Sequence, residues 1–132
     1  MISNPNKFRH FILSSGVDIF LGRDAENNEL LVSQAQPTEI LLHTAMPGSP
    51  FCNIKVGASK DDIKEAAIYT AKFSQDWRDR KSDVIIHVFR GCDTYKDKKM
   101  KAGTFGVKNI REMRVKKGDI LRLEENLKIQ HE

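Results

Sequence analysis

The chain has 132 residues, a formal charge of +4 from 22 Lys and Arg against 18 Asp and Glu, and 39% hydrophobic and 30% charged residues. That length predicts one domain able to bury roughly two thirds of its unfolded surface in a single core, with no cofactor needed to hold it together. No apolar run approaches the ~20 residues that a helix needs to span a bilayer, so no membrane-spanning helix is expected. Cys52 and Cys92 lie far apart and share no metal-ligand spacing with His10, His43, His87 or His131. They read as reduced, buried thiols, and no metal site is expected.

In chain order, residues 1–6 form a polar lead expected to be disordered, and 7–132 the single domain. The apolar stretch 11–21 contains Ser14, Ser15, Gly16 and Asp18 and lacks a cleavage-like ending, so the expected location is the cytoplasm. Residues 7–14 and 17–21 are predicted to pair as a hairpin through Ser14-Ser15-Gly16, with Val17, Ile19 and Leu21 alternating against Asp18 and Phe20. Gly22 stops that strand. The next residues, GRDAENNELL (22–31), read as a polar turn and a helix start. Asp24 is placed to accept from backbone N–H groups as an N-cap, and Glu26 and Glu29 lie near the positive end of the helix dipole. Arg23 is either paired with Asp24 or held out for an anion.

Residues 39–43 predict a short buried strand with His43 at its exit, 44–50 a rigid turn containing Pro47, Gly48, Ser49 and Pro50, and 51–56 a further strand. Gly48 and Ser49 offer an N–H and a hydroxyl suited to a phosphate, although the prolines are equally explained by the turn. Ser59 with Asp62 predicts a capping-box start to one long helix, whose stripe of Ile63, Ala66, Ala67, Thr70, Phe73 and Trp77 runs to about residue 78. Trp77 continues the stripe and therefore reads as core. Residues 84–89 predict a central strand in which His87 is structural. A long basic loop (91–103), strand-like 104–107 and 110–115, a turn at 116–119 and a last strand at 120–123 complete the chain. The expected fold is α+β, a mixed, largely antiparallel sheet with one long and one short helix, the helices packed on one side.

The charge is uneven. Residues 96–117 hold nine basic and two acidic side chains, a local balance of +7, so the remainder is −3. One face of the protein is thereby suited to a polyanion, and with only Tyr95 and Phe105 beside the basic segment, phosphate contact should outweigh base stacking there.

GRDAENNELL (22–31), ILLHTAMPGSP (40–50), the long amphipathic helix, and the segment with Tyr95-Lys96 and Lys99-Met100-Lys101-Ala102-Gly103 together resemble the NFACT-R domain. This is the RNA-binding region of large ribosome-associated quality-control factors and of bacterial proteins named for fibronectin binding. The resemblance covers about residues 7–115. The family pattern G-R-D-x-x-x-N-E falls on Gly22, Arg23, Asp24, Asn28 and Glu29, its strand-end His on His43, its P-G-S turn on Pro47, Gly48 and Ser49, and its later Lys and K-x-G on Lys96, Lys101 and Gly103. These 132 residues leave no room for the N-terminal domain and coiled coil of the large factors, so a stand-alone form is expected, and tail synthesis on stalled ribosomes is not carried over.

The resemblance implies a non-catalytic RNA-binding module contacting tRNA or ribosomal RNA, with the ribosome as a further partner. Arg23, His43, Ser49, Lys96, Lys99, Lys101 and Lys108 are the candidate nucleic-acid contacts, and Gly22, Asp24, Asn28, Pro47, Gly48 and Gly103 the structural motif residues. Two alternatives stay open on the residues themselves. A general polyanion or DNA binder fits the charge equally well. An enzyme on a phosphorylated substrate, with His43 as acid or base and Arg23 as clamp, lacks a nucleophile elbow, a Walker loop or clustered carboxylates. Neither the oligomeric state nor the RNA species is legible.

Overall fold

A computed structural model describes residues 7–55 and 57–130. The expected lead, 1–6, lies outside the described residues, as does Val56 at the end of the expected strand 51–56. Strands β1 (Arg9–Ile12) and β2 (Asp18–Leu21) form the predicted hairpin. Gly16, at φ +92°, supplies the left-handed residue that its turn requires. Helix α1 (Ala25–Gln34) follows, then β3 (Ile40–Thr44) and a short β4 (Cys52–Ile54). Helices α2 (Lys60–Lys72) and α3 (Gln75–Arg80) precede β5 (Val84–Arg90). A 3-10 turn at Gly91–Asp93 leads to the small ribbon of β6 (Thr94–Tyr95) and β7 (Gly106–Val107). Strand β8 (Arg111–Val115) and helix α4 (Lys117–Gln130) end the described chain.

The main sheet has the order β1-β2-β4-β3-β5-β8, and every described pairing is antiparallel. The α+β class is as expected, but the helices number four among the described residues and cover both faces. Ile19, Leu21, Leu42, Ile54, Val84, Ile86 and Val88 face α2, α3 and α4. There Ala66, Ala67 and Ala71 let α2 lie close to the strands, with Trp77 and Ile120 filling the flank. On the opposite face Phe20, Leu41 and Phe89 pack with Leu31 and Val32 of α1. Strands apolar on both sides need cover on both sides.

The sequence pattern misleads at two helices. The helix expected to run unbroken to residue 78 stops at Phe73, and Ser74 begins a second one. The Ser74 hydroxyl accepts from the Trp77 N–H at 3.1 Å and donates to the Ala71 carbonyl at 2.6 Å. Phe73 and Trp77 keep helical spacing across this break, so periodicity alone does not reveal it. The expected turn and strand at 116–123 are instead the start of α4. Ile120, Leu123 and Leu127 share a helical face, and the Asp83 carboxylate accepts the Lys117 N–H at 2.8 Å, capping the helix from a distant segment. Cys52 is buried as expected, its thiol pushed up to about 12 by burial, whereas Cys92 is exposed.

Candidate nucleic-acid interface

The N-terminus of β1, the C-terminus of β2, the N-terminus of β4 and the C-terminus of β3 all meet at one end of the sheet, because each neighbour runs antiparallel to the next. The segment 22–29 is built there as a lock. A Cβ on Gly22 would stand 1.8 Å from Asn28 Oδ1, so α1 closes on the strand end only across glycine. Asp24 caps α1 as predicted, accepting the Asn27 N–H at 2.8 Å, and Asn27 Oδ1 in turn accepts the Arg23 N–H at 2.9 Å. Buried Asn28 accepts the Phe51 N–H at 3.0 Å, which ties the helix to β4. Glu29 reaches the distant loop, its Oε2 accepting from the Gly103 N–H at 2.8 Å and from Lys96 Nζ at 3.0 Å. The first of these bonds, and then the Lys96 ammonium, hold the Glu29 carboxyl below its ordinary range.

This lock frames a cleft of about 670 Å³ whose lining includes Arg23, His43, Ser49, Pro47, Gly48 and Gly103. The cleft also receives two arginines from elsewhere, Arg9 of β1 and Arg78 of α3. Arg9 donates to the Gly22 carbonyl at 2.7 Å, and its guanidinium lies 4.7 Å above the Phe73 ring. Arg78 donates to Gln75 Oε1 at 2.8 Å and to the Phe73 carbonyl at 3.3 Å. None of the three forms an ion pair among the described residues; the reading of Arg23 as paired with Asp24 is thereby excluded. Asp24 is the one carboxylate of the lining, and its Oδ1 is engaged as the cap. Burial, then the charges of Arg23 and Arg78, lower the Arg9 pKa.

Beside the arginines lies an aromatic wall. His43 packs on Phe51 with ring centroids 4.3 Å apart, and Phe51 meets Phe89 and Phe105 edge-on at 6.3 and 5.7 Å. His43 Nδ1 is 2.8 Å from the Thr44 carbonyl, an acceptor only, so Nδ1 carries the proton and a neutral ring keeps its lone pair on Nε2. Burial lowers the His43 pKa, favouring that neutral form. Ser49 is turned inward. Its hydroxyl accepts the Thr44 N–H at 3.1 Å and donates to the Pro50 carbonyl at 3.0 Å, which fixes the turn against β3.

The lysines do not act as one group. Lys96 is folded into its own loop, donating to Glu29 and to the carbonyls of Lys101 and Thr104 (2.7 Å for the last), with Nζ 4.8 Å over Phe105. Lys99 and Lys101 are exposed on the loop whose residues Ala102, Gly103 and Thr104 wall the cleft. Lys108 is exposed on the ribbon, 5.5 Å over Tyr95, and does not line the cleft. His87, opposite His43 in the β3–β5 register, lines the cleft and meets Glu112 at 3.0 Å. Among the described residues no three His, Cys, Asp or Glu side chains gather as a metal site would need.

The family model for the NFACT protein RNA-binding domain matches residues 7–109. The chain belongs to that family. The NFACT RNA-binding match spans the whole cleft lining apart from Ile110, and ends before β8 and α4. The fold is similar to that of the C-terminal part of the fibronectin/fibrinogen-binding protein from Streptococcus suis, with a TM-score of 0.74 and 22% identity. That likeness covers 83% of this chain and 45% of the other, so the NFACT domain here spans less than half of the length of that structure. No curated protein matches the chain. Sequence reasoning missed Arg9, Arg78 and Phe105 as site residues. Each sits outside the motif, in a strand, a helix and a loop that only the sheet order brings to one place.

Proposed function

We propose that this RNA-binding module contacts tRNA or ribosomal RNA in a ribosome-associated quality-control setting in the cytoplasm, and that it does so without catalysis. Membership of the NFACT RNA-binding family supports RNA as the partner. The observation that carries the placement of the interface is the cluster of Arg9, Arg23 and Arg78, three guanidinium groups at one cleft without an ion-pair partner among the described residues. Guanidinium forks match phosphate oxygens in pairs, and a phosphate between them relieves the mutual repulsion that, after burial, lowers the Arg9 pKa. The exposed Lys99 and Lys101 extend the positive surface beside the cleft and supply point charges for the backbone.

The test is binding of tRNA, a ribosomal RNA fragment and duplex DNA of matched length across a salt series. Arg23→Ala with Arg78→Ala should leave the melting temperature nearly unchanged, since both side chains are exposed. It should flatten the slope of log affinity against log salt by about 1.4–1.8 for two lost contacts. Unchanged affinity and slope for every ligand would place the interface elsewhere. Tighter binding to DNA than to either RNA would favour the general polyanion reading.

A further inference from the structure

The site is concave, and concavity selects among forms of RNA. A duplex presents a regular convex backbone with its bases stacked away from side chains, whereas an unpaired nucleotide can enter a pocket whole. The cleft volume of about 670 Å³ is within the range of about 300–1,000 Å³ typical of sites that enclose a small ligand. Its lining joins two chemistries. Arg9, Arg23 and Arg78 are anion-seeking, while His43 and Phe105 are half-buried, so part of each ring stays exposed beside the buried Phe51, with Lys96 Nζ over the Phe105 ring. Gly22 links the two, because its carbonyl accepts from Arg9 and its N–H donates to the Phe51 carbonyl at 3.1 Å. A surface meant only to track a duplex backbone needs the first chemistry and not the second.

Building on the RNA reading above, we propose that the cleft takes one unpaired nucleotide of an RNA, a strand end or a flipped loop base. Its phosphate is held by the three arginines and its base lies against Phe105 and His43. Neutral His43 offers Nε2 as an acceptor for a base amino group or a 2′-hydroxyl.

The experiment compares, by fluorescence anisotropy with the full chain, a blunt RNA duplex and a shorter duplex bearing a single-stranded overhang, matched in total phosphates. The overhang ligand should bind about tenfold tighter, an effect within what stacking of one base on an aromatic ring supplies. Phe105→Leu and Arg78→Ala should each shrink that ratio about threefold or more, while Arg122→Ala, on α4 and outside the cleft lining, should leave it in place. Independently of any variant, a nucleoside 5′-monophosphate should displace the overhang ligand from the wild-type chain at lower concentration than inorganic phosphate does. Equal affinity for the two RNAs, or equal displacement by the two competitors, overturns the proposal and leaves RNA binding standing. Failure to bind either RNA overturns both readings.

Discussion

At Gly22 one methyl group decides whether the strand end and α1 can meet. An added Cβ would collide with Asn28 Oδ1, the acceptor that satisfies the buried Phe51 N–H. Gly22→Ala should therefore lower stability by about 1–3 kcal/mol, measured by urea denaturation, where Arg23→Ala should not. His43 gives the second test at this scale. Burial is the chief cause of its lowered pKa, with the His87 charge adding to it and the Thr44 and Ser49 carbonyls opposing it. Just below the ordinary His value of about 6.5 the unfolded chain then binds more protons than the folded one. The stability from His43 is full above the unfolded pKa and is lost as pH falls through the window toward the folded pKa. The urea midpoint should drop between pH ~7.5 and ~5.5, and drop less in His43→Phe. An equal drop in both proteins would remove His43 from the account.

The loop from Lys96 to Thr104 is held as an element by a single carboxylate. Glu29 takes both the Lys96 ammonium and the Gly103 N–H, and Gly103, at φ +79° with Ala25 against it, leaves no room for a side chain. Lys96, Lys99 and Lys101, which sequence alone makes interchangeable phosphate contacts, thus divide into one clamp and two free charges. Lys96→Ala should speed hydrogen exchange of the Gly103 amide and lower the melting temperature, since it leaves the part-exposed Glu29 and two loop carbonyls without their partner. Lys99→Ala with Lys101→Ala should leave the melting temperature nearly unchanged, exposed substitutions being within about 0.5 kcal/mol, and should flatten the salt slope by about 1.4–1.8. The same exchange rate at Gly103 in wild type and Lys96→Ala would refute the clamp.

For the molecule as a whole, the sheet separates a packing face from the face that carries the cleft. Helices α2, α3 and α4 bury one side, with Trp77 Nε1 donating to Glu124 of α4 at 3.1 Å, while α1 covers only part of the other and the cleft occupies the end it leaves open. Helix α4 lies beyond the family match, yet Ile120 is fully buried in the main core. Ile120→Ala should cost about 2–5 kcal/mol in urea unfolding. The loss should come with the cleft intact, so RNA affinity measured below the transition should match wild type. A loss well under 1 kcal/mol would mean that α4 is docked only loosely.

What the sequence by itself determined is the local chemistry: the hairpin about Gly16, the Asp24 cap, the Ser59–Asp62 capping box and the inner strand at 84–89. Each depends on residues within a few positions of one another, where spacing and side-chain type suffice, and the motif that marks the family lies in such a segment. The tertiary structure alone decided the helical state of 117–130, the commitment of Lys96 to Glu29, and the meeting of Arg9, Arg23 and Arg78. The last helix and the loop clamp depend on distant partners: 34 positions for Asp83 with Lys117, 47 for Trp77 with Glu124 and 67 for Lys96 with Glu29. Antiparallel register sets such pairings by placing alternate strand ends together, and no period or cap within one segment reports which ends those will be.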